Sequence, residues 1–150
     1  MITFFVPGIP VAKGSAKSFW NPNAKRKDGG RGKIVTMQDN RDRQKPWASL
    51  ISYTAQEQGC KPVAGPVALS LKFVMPRPKS HFRTGKNAAS LRDDAPTHHT
   101  TTPDLDKLIR CVKDALTGIC WDDDKQVCTL RETWKGYGDH PGVWIRVEAL

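Results

Sequence analysis

Two groups of aspartates carry the clearest chemical potential in this chain. Asp104 and Asp106 are separated by a single residue, and Asp122-Asp123-Asp124 follow after a stretch with helical apolar spacing. Carboxylates that converge without an imidazole or thiolate partner form a hard oxygen donor set, suited to Mg²⁺ with Mn²⁺ as a substitute. A centre of that kind activates water and stabilises charge on a phosphodiester in flight. Each aspartate at a helix start also reads as a simple capping acid, because unpaired N–H groups and the helix dipole favour negative charge there. The second cluster, one helix later, is what points beyond capping. Arg110 lies four residues after Asp106, with Lys113 and Asp114 a turn further. That spacing gives either an ordinary i,i+4 ion pair or a cation that holds a scissile phosphate beside the metal. His98 and His99 are adjacent, so they point in different directions and rarely ligate one metal together; they read as loop-surface residues, or as contacts to DNA or to the residues behind a metal site. A calcium loop over 122–126 fails, since it has neither the alternating ligands nor the central Gly and closing Glu.

The elements around these residues follow from periodicity. Leu105, Leu108, Ile109, Val112, Ala115 and Leu116 obey i, i+3, i+4, i+7 and predict the best helix in the chain. Thr102-Pro103-Asp104 supplies a cap, a proline at the first helical position and an acid in the first turn, and Gly118 stops the helix. A helix from 104 to 117 is about 21 Å long. The strand after it must run back towards Asp104, which can bring an aspartate early in that strand alongside the helix. Upstream, Ile2, Phe4 and Val6 alternate as a first strand, and Val67, Leu69, Leu71, Phe73 and Met75 mark a half-buried one. Pro46 opens a helix carrying Trp47, Leu50, Ile51, Thr54 and Ala55 on one face, ended by Gly59. Two strands close the chain, about 125–135 and from Val143 to the end, joined across Gly136–Gly142 as a hairpin. Residues 12–45 and 76–101 read as long basic surface loops, mobile without a partner, with Phe19 and Trp20 either stacking on bases or pinning their loop to the core. Strands and helices mix without βαβ alternation, so the expected fold is α+β: a single domain over 1–150, with a mixed sheet packed against two main helices.

Charge distribution narrows the function class. Net charge is +9, yet residues 1–45 carry ten Lys/Arg against three acids, while residues 102–150 carry seven against nine. Basic flanks around an acidic focus suit a protein that holds a polyanion while a cation-binding centre acts on it. The candidate phosphate contacts are Lys13, Lys17, Lys25, Arg26, Lys27, Arg31, Lys33, Arg83, Lys86, Lys107 and Lys113. No apolar run reaches the roughly 18 residues of a membrane span, and the N-terminus has no basic region or cleavage site of an export signal. Cys60, Cys111, Cys120 and Cys128 form no C-x-x-C pair, which excludes a cysteine zinc site and fits free thiols in a reducing cytoplasm.

The stretch HHTTTPDLDKLIRCVKDALTGICWDDDKQV, residues 98–127, resembles the core motif of the RusA family of Holliday-junction resolvases, largely phage and prophage enzymes. The family pattern runs P-D-h-D-N-h-h-K, then D-A-L-[TN]-G, then D-D-x-Q-V, and the opening GIPVAKG is similar to the family's first strand and loop. The resemblance implies a RusA-like fold and a homodimeric, Mg²⁺-dependent endonuclease that nicks opposed strands of a four-way junction. It places the catalytic acids on Asp104, Asp106 and Asp124, with Asp123 as a neighbouring metal-binding acid. The family's lysine falls on Arg110, which keeps the cation, adds a planar fork and cannot shed a proton, so its implied role is to position phosphate. Lys107 replaces the usual asparagine, and Gly14-Ser15-Ala16-Lys17 stands where G-R-P-R is common. A four-way junction is two-fold symmetric, so a closed dimer sets one site on each of two opposed strands. The rival readings are a flap or single-strand nuclease without junction selectivity, and a non-catalytic DNA-binding protein whose aspartates only cap and pair.

Overall fold

The most apolar segment of the chain takes the middle of the sheet, and everything else arranges around it. A computed structural model describes residues 1–150, the side chain of Gln38 excepted. The elements are β1 (Ile2–Pro7), β2 (Ala16–Lys25), β3 (Arg31–Gln38), α1 (Arg41–Glu57), β4 (Val67–Pro76), α2 (Leu105–Leu116), β5 (Val127–Gly138) and β6 (Gly142–Ala149). Four strands form one sheet in the order β1-β6-β4-β5, with β4 parallel to β5 and antiparallel to β6. Period-two alternation sends Val67, Leu69, Leu71 and Phe73 of β4 to the same face as Val143, Ile145 and Val147 of β6 and Phe4 and Val6 of β1. Trp47, Ile51 and Ala55 of α1 and Leu108, Val112 and Leu116 of α2 cover that face and close the core. At about 1.5–3 kcal/mol for each fully buried large apolar side chain, this layer is the main source of stability. The result is the α+β fold read from the sequence, a mixed sheet with two main helices.

Several local expectations give way to tertiary context. Residues 12–45 are not a loop. They contain an antiparallel ribbon, β2–β3, that forms a separate two-stranded sheet. Helix α1 starts at Arg41, five residues before Pro46, which lies inside it; the polar first turn offers no apolar period to reveal it. Asn40 precedes it at φ 66 and hands its carbonyl to the N–H groups of Arg43 and Gln44. The final two strands do not pair as a hairpin, because β4 lies between β5 and β6. As the most apolar strand, β4 gains burial by taking a partner on each edge. Pro76 closes β4, and residues 77–101 form no further strand or α-helix, carrying two single 3-10 turns at Lys79–His81 and Gly85–Asn87 and isolated bridges that pair Phe82 with Leu91 and His98 with Gly136. No helix among the described residues is long and apolar enough to cross a membrane.

Candidate active site

Helix α2 is the ruler on which the acids are placed. Its first residue is Leu105, so Asp104 takes the cap position and Pro103 falls one residue outside the helix instead of at its first position, behind a cis Thr102–Pro103 bond. Asp104 does not cap: its carboxylate accepts no helix N–H and instead lies 3.4 Å from the Lys107 ammonium. Asp106 follows in the first turn, exposed to solvent. Neither Asp106 nor Arg110 has an ion-pair or hydrogen-bonding partner among the described residues, so the i,i+4 pair allowed by their spacing is not formed. Asp106, Arg110, Lys113 and Thr117 fall on one helical stripe opposite the buried leucines.

Asp124 meets that stripe at its far end. Its Oδ1 accepts from the Thr117 hydroxyl at 2.7 Å and from the Trp121 indole Nε1 at 3.3 Å, while Oδ2 is 4.0 Å from the Lys113 ammonium. A carboxylate beside the C-terminal end of a helix opposes the dipole, and these three donors offset that cost. Asp123 turns away. It caps the 3-10 turn Asp124–Gln126, accepting from the Lys125 backbone N–H at 2.9 Å with the Lys125 ammonium 3.2 Å from its other oxygen. The backbone N–H first, then the ammonium, hold the Asp123 carboxyl below the usual carboxylate range. Gln126 fixes the same turn, accepting from the Asp122 and Asp123 N–H groups and donating to the carbonyls of Val63 and Gly65.

The chain therefore sets the candidate acids in two separate groups. Asp104 and Asp106 stand at the N-terminal end of a 12-residue helix, about 18 Å long, and Asp124 stands at the other end. Among the described residues, no three His, Cys, Asp or Glu side chains come close enough to hold one metal ion. The returning strand does run back along α2, as its sequence position requires, but the aspartates precede it and remain at the helix C-terminus. What β5 delivers to the other end is Lys135.

Sequence patterning offered no signal for Lys135. Its ammonium donates to the carbonyls of Thr101 and Pro103, each at 2.6 Å, and so fixes the segment that enters Asp104. Only the return direction of β5 could have pointed to it. Replacing Lys135 by Met keeps the stem and strips both carbonyls of a charged donor. We expect a loss of about 1–3 kcal/mol in thermal unfolding and, in the DNA cleavage that the family resemblance implies, a larger loss of turnover than of affinity. Recovery of turnover in Lys135→Arg, and not in Lys135→Met, would confirm that the cation positions the segment.

The two histidines separate. His98 is exposed, whereas His99 is buried with its ring 4.9 Å from that of Tyr137 and its Nε2 3.3 Å from the Thr101 hydroxyl. Burial, then the nearby Lys135 charge, push the His99 imidazole below its ordinary value. A surface role thus holds for His98 and is corrected for His99, which packs under the same segment that Lys135 ties down. Of the expected phosphate contacts, Lys13 pairs with Asp114, Lys17 with Asp39, Arg83 with Asp93, Lys107 with Asp104 and Lys113 with Asp124. Lys25, Lys27, Arg31, Lys33 and Lys86 have no ion-pair partner among the described residues, and Arg26 donates to the Gly32 carbonyl. All four cysteines are free thiols.

The donor chemistry of the first group fits magnesium. Asp104 and Asp106 offer hard oxygens, neither is consumed in capping, and Mg²⁺ commonly sits on one or two carboxylates with waters filling the rest of its octahedron.

The chain is 29% identical over 150 residues to the "Uncharacterized protein YqaN" of Bacillus subtilis (strain 168), a match covering 99% of this chain and 96% of that protein. The family model described as Endodeoxyribonuclease RusA matches residues 14–148, so that the aspartate pair, α2, the Asp124 turn and Lys135 all fall within it. The chain belongs to the RusA family, endodeoxyribonucleases that act on Holliday junctions.

Proposed function

We propose that this protein is a Mg²⁺-dependent resolvase that nicks opposed strands of a four-way junction as a homodimer. The observation that carries the reading is the state of the α2 surface. Asp106 and Arg110 are both exposed and unpaired among the described residues, next to an Asp104 that does not cap its helix. Two acids one residue apart, neither spent on a helix N–H, leave hard carboxylate oxygens open to a cation, with a guanidinium one turn on open to phosphate.

Each side chain then has a task. Asp104 and Asp106 hold the cation at the N-terminal end of α2. Bound there, Mg²⁺ (or Mn²⁺) would supply Lewis acidity for hydrolysis of a phosphodiester. Arg110, one turn on, presents a guanidinium fork to phosphate oxygens and fixes the scissile group in line. Lys135 and the packed His99 hold the entry to Asp104 so that the acids keep their geometry. Asp124 cannot join these acids within one chain, and a two-fold-related copy with its α2 antiparallel supplies it from the other side. One two-fold axis then serves both the protein and the junction.

The decisive assay sets a synthetic four-way junction beside a linear duplex of the same sequence, with Mg²⁺ and with EDTA. Paired symmetric nicks in the junction alone, lost with EDTA, are the expected result. Equal cutting of both substrates would replace the junction reading by that of an unselective nuclease. Binding without any cutting in Mg²⁺ or Mn²⁺ would remove catalysis altogether.

A further inference from the structure

The ribbon β2–β3 has no evident business in the fold. It forms its own sheet, its two strands pack mainly on each other, and it carries exposed apolar side chains on both faces. Register puts Trp20 opposite Ile34 on one face and Phe19 opposite Val35 on the other. Trp20 is 59% exposed, Ile34 69% and Phe19 46%. A lone two-stranded hairpin is marginal in water, so this one gains from being covered.

Local chemistry says what covers it. Residues 16–38 hold six cations, Lys17, Lys25, Arg26, Lys27, Arg31 and Lys33, against the single acid Asp28. Three of them, Lys25, Lys27 and Arg31, crowd the tip without an ion-pair partner among the described residues. A second copy of so basic a ribbon would repel this one, whereas a polyanion with apolar edges matches both features. The ribbon is also built to keep its shape. Ser18 and Thr36 hydrogen-bond across it at 2.7 Å, and Gly32, at φ 83, gives the Trp20 ring a seat that a β-carbon would occupy. Its base is closed by the Asp39 N–H donating to the Ser15 carbonyl and by the Lys17–Asp39 pair, and the residues just before it tie to the body through the Lys13 N–H on the Lys107 carbonyl and the Gly14 N–H on Gln44 Oε1.

We infer that this ribbon is a duplex-gripping arm that lies in the major groove of one junction arm, with its tip cations on the flanking phosphates. The inference rests on the resolvase reading and adds where the protein holds its substrate. A two-stranded ribbon fits the major groove, which is about 12 Å wide. Ten extended residues span about 30 Å, close to one turn of duplex. The tip cations therefore meet duplex no farther than about one turn, roughly 10 base pairs, from the ribbon's base.

Arm length tests this directly. Anisotropy titrations use four-way junctions with arms of about 6, 10 and 15 base pairs, each closed by a hairpin end, and compare wild type with a Lys25→Glu/Lys27→Glu/Arg31→Glu variant. Wild-type affinity should rise about tenfold as the arms pass one turn, with the salt slope steepening by about 0.9 for each additional phosphate neutralised. The variant should show neither the rise nor the steepening. A wild-type curve flat in arm length, which needs no variant to interpret, overturns the proposal. So does a variant that keeps the full rise, or one that changes oligomeric state in gel filtration, since the ribbon would then serve a second copy. Cleavage of the longest junction by wild type with Mg²⁺, followed in parallel, reports the resolvase reading separately, so failure of one is distinguishable from failure of the other.

Discussion

Replacing Asp106 by Asn should reduce single-turnover cleavage of a four-way junction on the order of 10³-fold, a loss of about 4 kcal/mol in transition-state stabilisation. Junction affinity should stay within a few-fold of wild type. The substitution exchanges an anionic oxygen for an amide of the same shape on an exposed helix face. Asp106 holds no hydrogen bond among the described residues, so little structure depends on it. Stability should change only slightly, since the residual contribution of a first-turn acid to the dipole is a few tenths of a kcal/mol at an exposed site. Removing a negative charge next to phosphate can tighten binding, which makes the expected dissociation of cutting from holding sharper. If the Asn variant cuts at near the wild-type rate, Asp106 holds no catalytic cation and the assignment of this helix end collapses. Asp104→Asn should follow the same pattern, with the added release of Lys107 from its 3.4 Å pairing.

Particular residues show what the sequence could and could not reveal. Helix α2 was legible because its apolar residues face one way and glycine stops it; β4 was legible because its alternation survives inside the sheet. The aspartate pair was legible as a candidate site only because a second acidic cluster follows one helix later, since either acid alone reads as a capping residue. The ribbon was not, since its residues are exposed on both faces and so lack the one-sided alternation by which a strand is recognised. Strand order was equally hidden: adjacency of β5 and β6 in the chain favours a hairpin, and only the competition for partners around β4 decides against it. Lys135 acts on backbone carbonyls, which every residue possesses, so no side-chain motif marks it. His99 is buried beside an exposed His98 for a similar reason, since a loop alternates its faces according to what it packs on.

The separation of Asp124 from Asp104 and Asp106 leads to the second large effect, seen when two inactive variants are mixed. Homodimers of Asp106→Asn and of Asp124→Asn should each be inactive under the dimer reading. Coexpression produces hybrids, about half of all dimers if assembly is random. In a hybrid, one composite site receives both substitutions, while the other takes Asp104 and Asp106 from one chain and Asp124 from its partner, all native. Activity should therefore return, restricted to a single nick per junction. On a supercoiled plasmid extruding a cruciform, wild type yields linear product through paired cuts, and the hybrid should yield nicked circles. If the acids acted within one chain, every site in the hybrid would carry a defect and the mixture would stay as inactive as its parents. Helix geometry favours the first outcome. Closing the gap inside one chain would require Asp124 to leave Thr117, Trp121 and Lys113 and cross most of a helix about 18 Å long, while Gln126 still ties its turn to Val63 and Gly65. A second copy needs no such rearrangement, because an antiparallel α2 presents its C-terminal end where the first presents its N-terminal one.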